Sequence, residues 1–426
     1  MFARPQDISG RPPAAEYADA EPDATTQSLL NQSLRQQLMQ LNQTDITTAT
    51  RLQTLRTSFA SLTRHLITGT SVSYQEQIAL HDQAYQQAML SMQAANLPEE
   101  MLTSQFVHAH GLVLSPLNCS RTIKDVNRIG AFGQGLHQLI SQQLTKQPAI
   151  HILYPACGPF APLLLPLLAA YKDEAIFSSA QIQVTLVDIH SGATQTLKQL
   201  TEDLGLSDFI RSIATADACS YEPSAAADIL LLEASHHGFS KEAHFAIARH
   251  LLPWLKEDGE LIPGSIRVKA ALVKGQQEFV EQWRDSSADQ PPQLSQEALA
   301  GRIELGEIWR LDRAGIAAAQ IIDLPDGQQV VECNTLTIPA NGQDYDQRIL
   351  VIYSEIDTFG DGRLDQYLSG ITHPRPDMSV CIDFTPRSPM PDDLLLQRGD
   401  QIRFFYRLTG LTGFMPVKAE PMEARA

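Results

Sequence analysis

Between residues 150 and 252 short apolar runs alternate with helix-patterned segments, and no other feature restricts the fold of this chain as much. Residues 150–154 are a short apolar strand, followed by a Gly/Pro turn and an apolar helix. Residues 182–187 form a second strand that ends in Asp188, and 194–204 a helix. Residues 229–232 are another buried strand and 242–252 another helix. Strands separated by helices predict a parallel, doubly wound α/β sheet.

The flanks have a different texture. Residues 1–24 are polar and proline-bearing and read as a mobile tail. Leu29, Leu30, Leu34, Leu38, Met39 and Leu41 recur at helical spacing, as do Leu52, Leu55, Phe59, Leu62 and Leu66. A third helix runs from Tyr74 to about Asn96, before Pro98. Residues 25–110 therefore read as a helical N-terminal module, with more helix over about 100–145, and 111–265 as the α/β domain. After Gly259 the alternation stops. A β pattern begins at 266–270, and a polar, helical insertion is expected over about 275–320. Strand-like runs return at 329–333, 348–353, 379–384 and 402–408, with Asn341-Gly342, Asp361-Gly362 and Gly399-Asp400 in the turns. This predicts an antiparallel β-domain over 266–426.

Composition narrows the function. A chain of 426 residues exceeds one ordinary core. Lysine plus arginine number 32 against 49 aspartate plus glutamate, a formal net charge of −17. That balance argues against a nucleic-acid partner, because phosphate contacts need a basic face. It suits a cationic partner or a neutral small molecule. The most apolar run, 160–170, is short and broken by Pro162 and Pro166, so no membrane span is expected. The polar N-terminus lacks an apolar secretory core. The five scattered cysteines form no C-x-x-C pair and suggest neither a disulfide framework nor a metal site. A cytoplasmic location is the expectation.

The turn Tyr154, Pro155, Ala156, Cys157, Gly158, Pro159, Phe160 lies between the first strand and its helix, where an α/β sheet binds a nucleotide. Gly158 lets the backbone approach a ligand closely. Asp188, at the end of the second strand, is placed to hold ribose hydroxyls, and Asp217 follows the third strand. A purely structural βα turn is the alternative. The arrangement resembles the class I S-adenosylmethionine-dependent methyltransferases. That resemblance implies a Rossmann-like sheet domain with S-adenosylmethionine as cofactor. Tyr154, Ala156 and Gly158 then fall on the methionine-binding turn, Asp188 on the ribose acid, and Asp217 with Ala218 on the adenine acid. The family usually has an acid where Tyr154 stands and glycines where Ala156 and Phe160 stand.

Asp228 opens the apolar strand that runs into Glu233, and Glu242 follows nine residues after Glu233. Two carboxylates at the carboxyl end of the sheet can grip a guanidinium through paired hydrogen bonds and take a departing proton. Here the chain resembles the protein arginine methyltransferases. In them the first of two active-site glutamates lies five positions after such an Asp and the second opens the next helix. Residues 254–263 resemble the family's link into a β-barrel, and Ile371, Thr372, His373, Pro374 its Thr-His-Trp loop. The 275–320 insertion lies where the family carries a helical dimerisation arm. The resemblance covers about residues 120–412 and implies a β-barrel-like second domain. It also implies a guanidino or amine substrate (peptidyl arginine or a small molecule) and a homodimer. Glu233 and Glu242 take the acceptor-binding and catalytic roles, Glu233 beside the cofactor. His373 is assigned to the acceptor pocket or to bracing a glutamate. The family's Glu-Trp-Met-Gly loop is here Glu233, Ala234, Ser235, His236. That change keeps two further readings open, a small-molecule N- or O-methyltransferase of specialised metabolism and a non-catalytic scaffold of the same fold.

Other polar residues have plainer readings. Glu233 and Glu242 also fit ordinary surface acids. Of the adjacent His236 and His237, which are expected to point apart, one is placed at the pocket as a neutral acceptor. His108 and His110 read as structural. Arg121 and Arg128 read as solvated, with the cofactor carboxylate as the alternative ligand. Cys157 reads as a small packed thiol. Residues 25–97 are the candidate cover for the cofactor.

Overall fold

A computed structural model describes residues 47–284, 286–287, 289–383 and 388–419. The tail expected over 1–24 and the first helical stretch lie outside them. The chain divides into residues 1–51 and 52–426. Of the first unit, 47–51 are described and enter the opening turn of helix α1 (Thr48–Thr68).

The α/β block folds as its alternation predicts. Strands β3 (Ile150–Pro155), β4 (Ile182–Asp188), β5 (Ile210–Thr215), β6 (Ala227–Leu231) and β7 (Leu255–Ile262) form one sheet in the order β5-β4-β3-β6-β7. Every pairing in it is parallel. β3 and β6 are buried along their whole length, as strands covered on both faces must be. Asp228 ties the sheet together at its amino end. Its carboxylate accepts hydrogen bonds at 2.7 Å each from the His151 backbone, the Gln147 amide and the Lys256 ammonium. Strand order reverses between β3 and β6, so the carboxyl ends of these two strands open a crevice. Helices α3 (Val126–Lys146), α4 (Leu165–Asp173), α5 (Ser191–Leu204) and α6 (His244–Leu251) accompany the sheet.

Helices α1 and α2 (Tyr74–Ala94) are amphipathic. Leu55, Phe59 and Leu62 of α1 and Ala84, Ala88 and Met92 of α2 join the same core as the sheet. Asp203 at the end of α5 receives both helices, its carbonyl from Arg56 Nε at 2.9 Å and its carboxylate from Ser91 at 2.7 Å. Residues 106–113 differ from the expected helix. They form a hairpin, β1 (Phe106–His108) with β2 (Gly111–Val113). The eight residues alternate too briefly to register as a strand pair against the helical pattern around them.

The C-terminal part is antiparallel apart from one short parallel pair. β8 (Ser265–Lys274) pairs with β9 (Ile303–Asp312) on one side and β12 (Arg348–Asp357) on the other. β13 (Arg363–Leu364) and β14 (Arg375–Asp377) add to β12. A second sheet runs β10 (Ile321–Asp323), β11 (Gln329–Thr337), β17 (Gln401–Arg407), β18 (Gly413–Lys418). The Asn334 amide of β11 donates to the Glu307 carbonyl of β9 at 3.0 Å, joining the two sheets. β15 (Val380–Ile382) and β16 (Leu394–Leu396) form a separate short pair that runs parallel, a departure from the expected antiparallel pattern. The span expected as one helical insertion, 275–320, holds short helices at Gly275–Phe279 and Gln296–Gly301 and then ten residues of β9. β9 pairs with β8 through two register shifts, which break the period-2 pattern a strand would otherwise show.

Candidate active site

Two adjoining cavities lie at the carboxyl ends of the parallel strands. They share Leu114, Cys119, Ala156, Gly158 and Glu242 as walls. The first, about 100 Å³, is lined by Asp188, Asp217, Ala218 and the β1–β2 hairpin. The second, about 440 Å³, is lined by Arg128, Tyr154, Glu233, His236, His237, Glu242 and His373 among others. All the site residues named from sequence therefore border one of two connected spaces.

The turn after β3 explains the first cavity. Ala156 has φ +48° and Gly158 φ +65°. This left-handed backbone is free for glycine and strained by roughly 1–2 kcal/mol for alanine. It turns the Gly158 N–H onto Asp188, whose Oδ2 accepts it at 2.9 Å. Asp188 Oδ1 accepts the His190 N–H at 2.8 Å. Burial raises the Asp188 pKa, and these two backbone donors oppose the rise. The carboxylate is thus fixed in the cavity wall at the end of β4. Asp217 Oδ1 accepts the Cys219 N–H at 2.9 Å, and its Oδ2 lies 3.8 Å from His108 Nδ1. Cys157 is a buried thiol against the Val187 carbonyl, at 3.4 Å.

The cover over this cavity is the β1–β2 hairpin with residues 114–119, not helices α1 and α2. The hairpin is clasped from two sides. Leu112 N–H donates to the Lys241 carbonyl at 2.6 Å, and the Ala109 carbonyl accepts from Gly410 N–H at 2.8 Å. A side chain at Gly111 would come within 2.9 Å of the backbone at Lys241, Glu242 and Ala243. His108 and His110, expected as structural, both line the cavity. Sequence reasoning missed them because nothing local distinguishes a short edge hairpin from a connecting loop.

The loop from β6 to α6 places the two glutamates. Residues 236–240 close on themselves: His236 N–H donates to the Ser240 carbonyl at 3.1 Å and Ser240 N–H to the His236 carbonyl at 3.3 Å. Gly238 at φ +65° makes the turn, and a Cβ there would meet Arg375 Cβ at 2.8 Å. Phe239 is driven into an aromatic cluster with His244, Trp309 and Tyr406. Full burial of such a ring contributes roughly 1.5–3 kcal/mol. Beyond it, Lys241 N–H donates to the Thr412 carbonyl at 2.9 Å, and the Thr412 hydroxyl to the Glu242 carbonyl at 2.9 Å. Glu242 stands two residues before α6 rather than opening it.

The two acids are held differently. Glu233 Oε2 accepts from Arg128 Nη1 at 3.0 Å, and Oε1 from the Ser235 N–H at 3.2 Å and hydroxyl at 3.3 Å. Arg128 is therefore not a solvated surface residue. Only 12 % of its side chain is exposed, and Asp125 Oδ2 flanks it at 3.0 Å. Asp125 is the N-cap of α3 and Arg128 lies three residues on, a spacing at which side chains meet. Only the fold reveals that this pair faces Glu233. Arg121 is exposed. The Glu242 carboxyl, by contrast, takes no hydrogen bond from the described residues. Burial pushes it up to about 8, Glu233 adds to the rise, and Arg128 and Lys241 oppose it.

Three imidazoles complete the second cavity. The His236 and His237 rings lie 4.2 Å apart at 55° rather than pointing apart, because Gly238 folds the loop back. Burial lowers both, His237 to about 4 with further lowering by His236, so both are neutral near pH 7. His373 follows the turn Gly370–Thr372 and is lowered by burial, with Asp125 and the Tyr367 carbonyl acting the other way. No hydrogen bond joins it to Glu233 or Glu242 among the described residues. The Ser369 hydroxyl, which donates to Asp125 Oδ2 at 2.6 Å, carries this turn to the Arg128 pair. No cluster of three or more His, Cys, Asp or Glu side chains among the described residues is arranged to hold a metal ion. No helix among them is long and apolar enough to cross a membrane.

No family model matches the chain, and no curated protein does. Among solved structures, the chain is similar to one described as a Trypanosoma brucei PRMT1 enzyme–prozyme heterotetrameric complex with AdoHcy. The alignment covers 71 % of this chain and 98 % of that one, at 12 % identity and a TM-score of 0.38.

Proposed function

We propose that this chain is an S-adenosylmethionine-dependent methyltransferase whose acceptor is a guanidino or amino nitrogen. The observation that supports it is the meeting of two chemistries at Gly158. A nucleoside-type pocket floored by Asp188 and Asp217 opens into a cavity holding Glu233 and Glu242.

The residues present fit such a cofactor. Asp188 is a preformed, backbone-anchored acceptor where ribose hydroxyls would lie, and Asp217 a second carboxylate beside it. Tyr154, Ala156 and Gly158 would border the amino-acid end, and Ala218 the base. The cofactor, when bound, supplies an electrophilic methyl group on sulfonium sulfur.

The chain's own residues handle the acceptor. Glu233 and Glu242 would bind N–H groups of the acceptor and orient one nitrogen along the line of attack. A nitrogen that gains a methyl group must shed a proton. Glu242, whose carboxyl takes no hydrogen bond from the described residues, is suited to take it. His236, His237 and His373 are neutral walls that add hydrogen-bonding atoms without adding positive charge.

One observation favours the small-molecule reading within the same chemistry. Glu233 is already ion-paired with Arg128, so the cavity presents one uncommitted carboxyl rather than two. A small amine needs only one such partner. The reading also includes a homodimer, checked by analytical ultracentrifugation. The test of function is incubation with isotopically labelled S-adenosylmethionine and a panel of guanidines, amines and arginine peptides, read by mass spectrometry. Label on nitrogen supports the proposal. Absence of S-adenosylhomocysteine binding by calorimetry sinks it in favour of a scaffold.

A further inference from the structure

The segment between β8 and β9 contains a buried ion pair whose third partner leads to the acceptor cavity. Glu278 is 2 % exposed and Arg302 8 %. Arg302 Nε donates to Glu278 Oε2 at 3.1 Å, and its Nη2 to Oε1. The Tyr367 hydroxyl donates to that same Oε1. A buried ion pair adds little net stability compared with apolar packing, but it fixes geometry when every polar atom is engaged.

Tyr367 needs such fixing. It is buried and sits at φ +65°, a left-handed backbone that a tyrosine adopts only when its surroundings hold it there. Its ring packs against Trp283 at 4.8 Å and 56°. The same ring meets His373 at 5.0 Å and 64°, an edge-to-face contact. The Tyr367 carbonyl also acts on the His373 imidazole, favouring its protonated form. No side chain among the described residues hydrogen-bonds that imidazole, so the ring and the backbone carbonyl of Tyr367 are its principal restraint.

We propose that Glu278 and Tyr367 form a positioning pair that sets the His373 imidazole at the wall of the acceptor cavity. The segment that supplies Glu278 is thereby tied to acceptor recognition. The kinetic consequence rests on the methyltransferase reading above, whereas the effect on the imidazole does not.

The test uses the full chain labelled with ¹⁵N,¹³C-histidine, the His373 signal being assigned by its loss in His373→Asn. Tyr367→Phe keeps the ring and removes the hydroxyl. Tyr367→Gly keeps the left-handed turn without strain and removes the ring, and it serves if Tyr367→Phe is unstable. Expected are a displaced His373 resonance and titration midpoint, S-adenosylhomocysteine affinity within about twofold, and a KM for the acceptor raised about fivefold or more with kcat changed less. A His373 spectrum and titration unchanged in a folded variant overturn the proposal. If the wild type binds no S-adenosylhomocysteine, the functional reading fails while the spectroscopic arm still decides this one.

Discussion

Glu242 is the residue on which the chemistry turns. Its carboxyl sits near 8 because burial and the neighbouring Glu233 disfavour its charge. Proton uptake from the acceptor requires the ionised form, so methyl transfer should rise with pH between about 7 and 9, with an apparent pKa near 8. A rate flat across that range would exclude Glu242 as the proton acceptor. The same shift has a stability consequence. A carboxyl raised on folding favours the native state fully below its unfolded pKa, and that benefit is lost as pH rises through 8. Glu242→Gln should therefore raise Tm relative to wild type more at pH 8.5 than at pH 5, by thermal unfolding. Glu233→Gln and Glu242→Gln should each lower transfer by about 100-fold or more. S-adenosylhomocysteine affinity in calorimetry should change much less, since Asp188 and Asp217 are each held by backbone N–H groups and not by either glutamate. Asp188→Ala should act oppositely, weakening that affinity about tenfold or more.

At the scale of elements, the β1–β2 hairpin turns Leu112 and Val113 to the smaller cavity and is anchored there by backbone hydrogen bonds. Phe106 and Val107 remain exposed at 42 % and 53 %. The hairpin is held where Gly111 passes against Lys241, Glu242 and Ala243. Gly111→Val should therefore lift the hairpin and weaken S-adenosylhomocysteine binding, with little change in Tm. Increased amide hydrogen exchange confined to 106–113 and 240–243 is the corresponding signature. This device was not legible in the sequence, because a clasp made of backbone hydrogen bonds leaves no side-chain pattern. The long elements were legible. The apolar runs of β3, β4 and β6 and the Leu/Phe spacing of α1 each bury a face of fixed period. β9 was not, since its two register shifts scramble the alternation that identifies a strand.

Across the whole molecule, one aromatic cluster joins the glutamate loop to the antiparallel sheets. Phe239 from the loop meets Trp309 of β9 and Tyr406 of β17, and Phe245 of α6 packs on the same Trp309. Phe239→Ala should cost about 3–5 kcal/mol by denaturant unfolding, and should reduce transfer more than S-adenosylhomocysteine affinity, because the loop carries Glu233 and Glu242. The sequence by itself determined the sheet architecture and the acids at strand ends. Hydrophobic period and the position of a polar residue after an apolar strand are local properties that no distant segment alters. The tertiary structure alone decided which partner each acid has. Arg128 lies 105 residues from Glu233 and pairs with it, while the Glu242 carboxyl takes no hydrogen bond from the described residues. Charge pairing depends on distances of a few ångströms between segments remote in the chain, and local sequence does not encode those distances.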